Sequence, residues 1–399
     1  MAPYESDDST GAEEIDDLRS GRRKAARYVV PVAVVGVAAA TIGLVPALAD
    51  SGDPNLPKIT AQQLIEKIAK SDVQQLSGTV KISTDLGLPD LGGLEGSIAS
   101  GATKGGDGSS ADPTSKLTEL ASGTHTLRVA ADGPDRQKLS LIESAAEYSI
   151  IHKGKDVWGY DSKSNEVYHG TASEDGKKHK DEAPATPKDF ADEALKSVDD
   201  TTSVTVDGTA QVAGRDAYKL VVKPKQSGTT VGAISIAVDA KTGLPLKFTL
   251  TPASGGAAVV DAGFTQISFS RPAASTFDFT PPKGAKVTEH EHGSTRAPEH
   301  APKSDEDLAK GLDGLKVLGK GWNSVATFDT GSKGGVPSAS GSGNLSGLLG
   351  SLGDQVTGRF GKGTVFSTRL VNALITDDGK VYVGAVTKGA LVKAANAGQ

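Results

Sequence analysis

The sequence predicts a mainly β, α+β protein that works outside the cytoplasm. Three observations predict it. Short apolar-polar alternations separated by turn formers follow one another from Thr124 to Ser270. Helix-start signals flank them only twice, at Thr60 and at Thr186. A basic cluster followed by a long apolar run near the N-terminus reads as an export signal or a membrane anchor.

That address comes first in the chain. Residues 1–27 are predicted to be a disordered cytoplasmic tail, acidic through Glu5, Asp7, Asp8, Glu13, Glu14, Asp16 and Asp17 and basic at its end through Arg19, Arg22, Arg23, Lys24 and Arg27. The apolar run 28–49 is 22 residues long. That suffices for the roughly 20 residues of a transmembrane helix and exceeds a cleaved apolar region of about 7–15. Its Ala47-Leu48-Ala49-Asp50 end resembles a processing site. Both readings stand: a signal peptide cut near Ala49-Asp50, with the protein secreted, or a single-pass cell-membrane anchor. The basic flank keeps the N-terminal side cytoplasmic and the C-terminal domain extracytoplasmic in either case.

Composition narrows the remainder. The 399 residues leave room for about two domains after the export segment. The chain has no cysteine, which excludes disulfides, a lipobox, thiol catalysis and Cys-ligated zinc. A net charge of −6 argues against nucleic acid as a partner.

The elements then follow in order. Thr60-Ala61-Gln62-Gln63 is a capping box that opens a helix with Leu64, Ile65 and Ile68 on one face. Leu76–Thr84 reads as a strand, and Gly92–Lys116 as a flexible Gly/Ser-rich insertion outside the core. A meander follows in five runs: Thr126–Ala130, Lys138–Ile142, Glu147–His152, Asp156–Tyr160 and Glu166–His169. Thr186-Pro187-Lys188-Asp189 starts the second helix. Strands resume at Ser203–Val206, Thr209–Val212, Asp216–Val222, Ala233–Asp239, Pro245–Thr251 and Val259–Ser270. Residues 289–304 read as a polar linker. Residues 305–399 read as a small α+β unit: a short helix through Leu308, Leu312 and Leu315, a hairpin from Thr364–Leu374 to Val381–Val386, and a last helix from Lys388 to Ala395.

Catalytic motifs are absent. There is no G-x-S-x-G elbow, no P-loop, no G-x-G-x-x-G after a strand and no H-E-x-x-H, so the expectation is a protein that is not an enzyme and carries no cofactor. His290, His292 and His300 alternate with Glu289, Glu291 and Glu299, residue types that bind zinc or nickel. They lie in a Pro-bearing linker with nothing to fix ligand geometry, so the reading is a solvated linker and no metal. Glu147, Asp156 and Asp161 sit near turns and read as solvent-facing charges.

Apolar pairs two residues apart carry more information. These are Tyr148 with Ile150, Trp158 with Tyr160, Leu220 with Val222, Ile234 with Ile236, Phe248 with Leu250, and Ile267 with Phe269. Residues at i and i+2 share a sheet face, so all twelve are expected to line one apolar surface. That surface is either a plain sandwich core or a concavity between a curved sheet and the two helices. For the second reading, about 10 methylenes at ~0.8 kcal/mol each supply ~8 kcal/mol of gross burial to an acyl ligand, before ordering costs.

Several of these segments resemble a known family. In order they are Asp156-Val157-Trp158-Gly159-Tyr160, Val212-Ala213-Gly214-Arg215-Asp216-Ala217-Tyr218-Lys219-Leu220, Asp239-Ala240-Lys241-Thr242-Gly243-Leu244-Pro245, and Phe277-Asp278-Phe279-Thr280-Pro281-Pro282-Lys283-Gly284. Over residues 58–288 the chain resembles the LolA-like superfamily of lipoprotein carriers, MucB/RseB regulators and LppX/LprG lipid carriers. The resemblance implies a half-open antiparallel β-barrel with two short helices as a lid over an apolar cavity, and no catalytic residues. It implies as partner a lipid or lipoprotein acyl chain. The alternative it implies is an envelope-stress regulator that binds a membrane anti-sigma factor.

Overall fold

Eighteen β-strands and two α-helices make up the described part of this computed structural model, which covers residues 54–87, 111, 122–171, 198–290, 315–329 and 353–398. The 1–27 tail, the 28–49 segment, the helix begun at Thr186, and most of the 92–116 insertion and the 289–304 linker lie outside the described residues. So does the short helix through Leu308 and Leu312. Among the described residues no helix is long and apolar enough to cross a membrane.

Helix α1 (Ala61–Ala69) forms where its cap predicts. The Thr60 hydroxyl accepts from the Gln63 amide at 3.2 Å, and the Gln63 side chain accepts from the Thr60 amide at 2.9 Å. Leu64 and Ile68, one turn apart, are its buried face.

The first sheet runs through β1 (Gln75–Thr84), β2 (Gly123–Asp132), β3 (Arg136–Ile142), β4 (Glu147–Lys153), β5 (Asp156–Asp161) and β6 (Glu166–Thr171). It continues through β7 (Thr202–Val212), β8 (Arg215–Pro224), β9 (Val231–Asp239), β10 (Pro245–Pro252), β11 (Val260–Ser268) and β12 (Lys286–His290). Its order is β12-β6-β5-β4-β3-β2-β1-β11-β10-β9-β8-β7, so β7 and β12 are edges and the sheet is not a closed barrel. Every pair is antiparallel except β12 with β6. The expected runs Ser203–Val206 and Thr209–Val212 are a single strand. Val206 pairs with Leu220 and Thr209 with Tyr218, so one extra residue bulges between them. Strand β12 was not expected. After β11 the chain straps across the sheet through a 3-10 turn at Ala274–Phe277 and pairs at the far edge.

The second sheet has the order β13-β14-β18-β17-β16-β15. Its strands are β13 (Lys316–Leu318), β14 (Val325–Asp329), β15 (Asp354–Gly358), β16 (Gly361–Ser367), β17 (Asn372–Thr376) and β18 (Lys380–Gly384). The expected strand Thr364–Leu374 is broken into two. The Thr368 hydroxyl donates to the Val371 carbonyl at 2.7 Å and accepts from its amide at 2.8 Å, which closes a turn in the run. That turn drives Leu370 fully into the core of the first sheet. Helix α2 (Lys388–Ala397) buries Leu391 and Ala395 against Leu374 and Tyr382.

The two sheets join at one end of the first. The Trp322 indole donates to the Thr202 hydroxyl at 2.9 Å, and the Thr229 hydroxyl donates to the Ala385 carbonyl at 2.8 Å. Arg369 reaches Asp85 at 2.5 Å and also bonds the Ala257 carbonyl. These contacts engage the end of β1, the start of β7 and the β8–β9 and β10–β11 turns, which lie side by side.

Candidate functional site

Strand register decides which apolar residues share a face. Val206 pairs with Leu220, Leu220 with Ile236, Ile236 with Phe248, Phe248 with Ala262 and Ala262 with Ile82. On the neighbouring row, Val204, Val222, Ile234, Leu250 and Val260 pair in turn. Further along, Phe264 pairs with Val80, then come Leu127, Leu141 and Tyr148; Gly78, Val129, Leu139 and Ile150 form the next row. One apolar face therefore runs without interruption across nine strands, from β7 to β4.

The β-bulge in β11 keeps that face continuous. Phe264 pairs with Val80 and Ile267 with Gly78, so one residue too many separates them for plain alternation. The bulge brings Phe264, Ile267 and Phe269 to the same side, and all three pack in the main core.

Ten of the twelve expected lining residues lie on this face: Tyr148, Ile150, Leu220, Val222, Ile234, Ile236, Phe248, Leu250, Ile267 and Phe269. Trp158 and Tyr160 do not. Gly159 pairs with Ile150, which turns its two neighbours to the opposite side. There the Trp158 ring stacks on His169 at 3.7 Å and both aromatics meet Phe279 of the strap, at 5.5 and 5.6 Å. His169 also bridges Asp156 and Glu289 through its two ring nitrogens, at 3.1 and 2.6 Å.

Cover over the apolar face is uneven. Helix α1 lies on β7–β9, where Leu64 and Ile68 meet Tyr218, Leu220 and Val238. The segment before the helix is tied to the same face. The Tyr218 hydroxyl donates to the Pro57 carbonyl at 2.9 Å, and the Thr209 hydroxyl to the Pro54 carbonyl at 3.1 Å. At the other end, Ala111 is fully buried and its carbonyl accepts from the Tyr148 hydroxyl at 2.9 Å, so this residue of the expected insertion belongs to the core. Gly159 permits that approach, because a Cβ there would stand 2.5 Å from the Ala111 oxygen. Between the two ends, Ile150, Ile234, Phe248 and Ile267 are half-buried.

The opposite face of the same strands is mixed, with Ile142 and the buried Ile151 beside polar residues. A cavity of about 550 Å³ opens over β11, β1, β2, β3 and β4, lined by Thr79, Arg128, Lys138, Ser140 and Glu147, with Thr276 of the strap at its wall. Glu147 is half-buried there, not solvent-facing. Burial alone would raise its carboxyl. Hydrogen bonds from Ser149 and Ser140 and the charges of Lys138 and Arg128 outweigh that and hold it below the usual carboxylate range. Asp161, also expected at the surface, is 4 % exposed and caps the β5–β6 turn by accepting from the Lys163 amide at 2.8 Å.

Two of the family-like motifs meet at one ion pair, which positions the site and makes no contact with the cavity. Arg215 binds Asp239, and the Arg215 guanidinium lies 4.5 Å above the Phe269 ring. Gly243 ends the Asp239 turn at φ +76°, where a Cβ would stand 2.4 Å from the Lys67 carbonyl of α1.

No family model and no curated protein matches this chain. Solved structures do resemble it. The MucA/MucB complex of Pseudomonas aeruginosa matches at 16 % identity and TM-score 0.39, over 84 % of this chain and 96 % of that one. An uncharacterized conserved protein of Thermus thermophilus matches at 13 % identity and TM-score 0.31, over 58 % and 99 % of the two chains. A LolA superfamily protein of Nitrosomonas europaea matches at 13 % identity and TM-score 0.22, over 56 % and 99 %.

Proposed function

We propose that this protein is a non-enzymatic, extracytoplasmic LolA-like binding protein that holds an acyl chain of a lipid or lipoprotein against its apolar sheet face. The observation that carries this reading is the uninterrupted apolar stripe across nine strands, covered at β7–β9 by α1 and at Tyr148 by Ala111, with half-buried Ile150, Ile234, Phe248 and Ile267 between. The covers act as a lid and the middle stretch as the acyl seat of a half-open barrel. The apolar run 28–49 keeps the domain at the membrane, or releases it once cut near Ala49-Asp50.

Lipid extraction from the full chain, purified from its membrane fraction and quantified by mass spectrometry, tests this. Wild type retains stoichiometric acyl lipid. Phe248→Ser and Ile150→Ser each lose most of it, while Trp158→Ala, on the other face, retains it. Lipid content unaffected by Phe248→Ser and Ile150→Ser rejects the acyl seat. Recovery of a membrane-protein partner with no lipid favours the regulator alternative.

A further inference from the structure

The cavity is formed mainly on the side of the sheet opposite the acyl seat, and Val129 and Ile267 of the seat's own face also line it. Its floor is set by register. Gln266 pairs with Thr79, Thr79 with Arg128, Arg128 with Ser140 and Ser140 with Ser149, which forms one polar row. On the next row, Ser268, Ser77, Ala130 and Lys138 pair in turn. Arg128 and Lys138 are therefore diagonal neighbours on adjacent strands, roughly 7–8 Å apart at the backbone and within reach of one another's long side chains.

Both cations act on Glu147 through their charge, Arg128 from an exposed position and Lys138 from a half-buried one. Among the described residues neither Arg128 nor Lys138 makes an ion pair or a side-chain hydrogen bond. Like charges this close on one sheet face repel. Among the described residues Glu147 is the one carboxylate lining the cavity, and it is engaged by the Ser149 hydroxyl at 2.8 Å. One positive charge is left over. Around it stand hydroxyl and amide groups that both donate and accept: Ser77, Thr79, Ser268, Thr276 and Gln266. A volume of about 550 Å³ is that of a small-molecule site.

We infer that this cavity binds a small phosphorylated polyol, with Arg128 and Lys138 clamping the phosphate and the Ser/Thr floor and Glu147 bonding the hydroxyls. Arginine contributes a planar fork and lysine a point charge, the two groups that recur in phosphate recognition. The phosphate comes either from a soluble phosphomonoester or from the headgroup of a phospholipid.

Calorimetric titration of the full chain separates these cases. The probes are glycerol 3-phosphate, inorganic phosphate, glycerol, and monomeric dihexanoyl phosphatidylglycerol with dihexanoyl phosphatidylcholine as its control. Wild type is expected to bind glycerol 3-phosphate at least tenfold more tightly than inorganic phosphate, and not to bind glycerol. The Arg128→Gln/Lys138→Gln variant, whose substitutions leave both apolar cores untouched, is expected to lose at least tenfold in affinity. If dihexanoyl phosphatidylglycerol binds, its choline counterpart and glycerol 3-phosphate do not, and the double variant loses the binding, the source is a lipid headgroup. The inference is overturned if no phosphate probe binds, if the double variant binds as wild type does, or if inorganic phosphate binds as tightly as glycerol 3-phosphate.

Discussion

Asp239 accepts hydrogen bonds from Arg215, from the Lys241 and Thr242 amides at 3.0 and 2.6 Å, and from the Thr242 hydroxyl at 2.9 Å. Its side chain is 1 % exposed. Burial alone would raise its carboxyl, but the Arg215 and Thr242 bonds outweigh it and hold the group below the ordinary carboxylate range. A lowered native value means that the unfolded chain binds the proton more readily. The stabilisation is thus complete above the ordinary carboxylate value and is lost as pH falls through the lowered one. Asp239→Asn is expected to cost on the order of 3 kcal/mol at neutral pH, the lower end for a broken buried pair, because the Arg215 side chain keeps 25 % exposure. It should also flatten the fall of Tm on acidification below about pH 4. Calorimetry at a series of pH values checks both, and equal acid slopes for variant and wild type would reject the assignment. The two motifs that meet here were readable in the sequence one by one. Their ion pair was not, because Arg215 and Asp239 are 24 residues apart and only the pairing of β8 with β9 brings them together. The same limit explains Trp158 and Tyr160. Alternation groups residues within a strand, but which of the two faces is apolar is set by the neighbouring strands.

The start of helix α1 was legible because its cap is local: Thr60 and Gln63 satisfy each other within one turn. Most strands were legible for the same reason, since alternation and turn residues sit side by side in the chain. The bulges in β7 and β11 and the strands β12, β13, β14 and β15 were not. A bulge changes the parity of a strand against its partner; in β7 its mark was the gap between the two expected runs, at Asp207 and Gly208, and only the pairing with β8 shows that the strand continues through it. Strand β12 owes its existence to a crossover, with Val287 exposed and β6 its sole partner among the described residues. These elements have different costs. Leu64→Ala should lose about 2–5 kcal/mol, as for a fully buried leucine, whereas Thr60→Ala should lose about 1 kcal/mol with the cap. In the strap, Phe277 is 1 % exposed and Phe277→Ala should cost about 3–5 kcal/mol. The half-buried Phe279, which contacts only one side of Trp158 and Tyr160, should cost less on truncation. Chemical denaturation of the three core variants and the cap variant orders them; a Phe279→Ala loss equal to that of Phe277→Ala would show that the strap is anchored elsewhere.

The chain pattern suggested a C-terminal unit set apart by a linker, yet the packing joins it to the first sheet. Leu370, from the turn between β16 and β17, is fully buried in the same cluster as Val80, Ile82 and Leu127 of β1 and β2, and Trp322, Val371 and Ala385 pack against that cluster. Apolar surface shared in this way is lost by both sheets when either opens, so neither sheet gains by unfolding first. Hydrogen bonds add to the coupling at Thr202, Thr229 and Asp85, all at one end of the first sheet. The second sheet does keep a core of its own around Tyr382 and Leu391, and that core would sustain it alone if the shared surface were weak. The two terms can be weighed because the chain has only two tryptophans, one in the first sheet and one at the junction: Trp158 in β5 and Trp322 in the 3-10 turn before β14, whose indole bonds Thr202. Trp322→Phe leaves Trp158 to report the first sheet, and Trp158→Phe leaves Trp322 to report the junction with the second. If the shared core dominates, both variants unfold in denaturant with coincident fluorescence and circular-dichroism midpoints, as a single cooperative unit does. A Trp322 transition separated from the Trp158 transition would mean that the second sheet's own core suffices and that the two sheets are independent folding units.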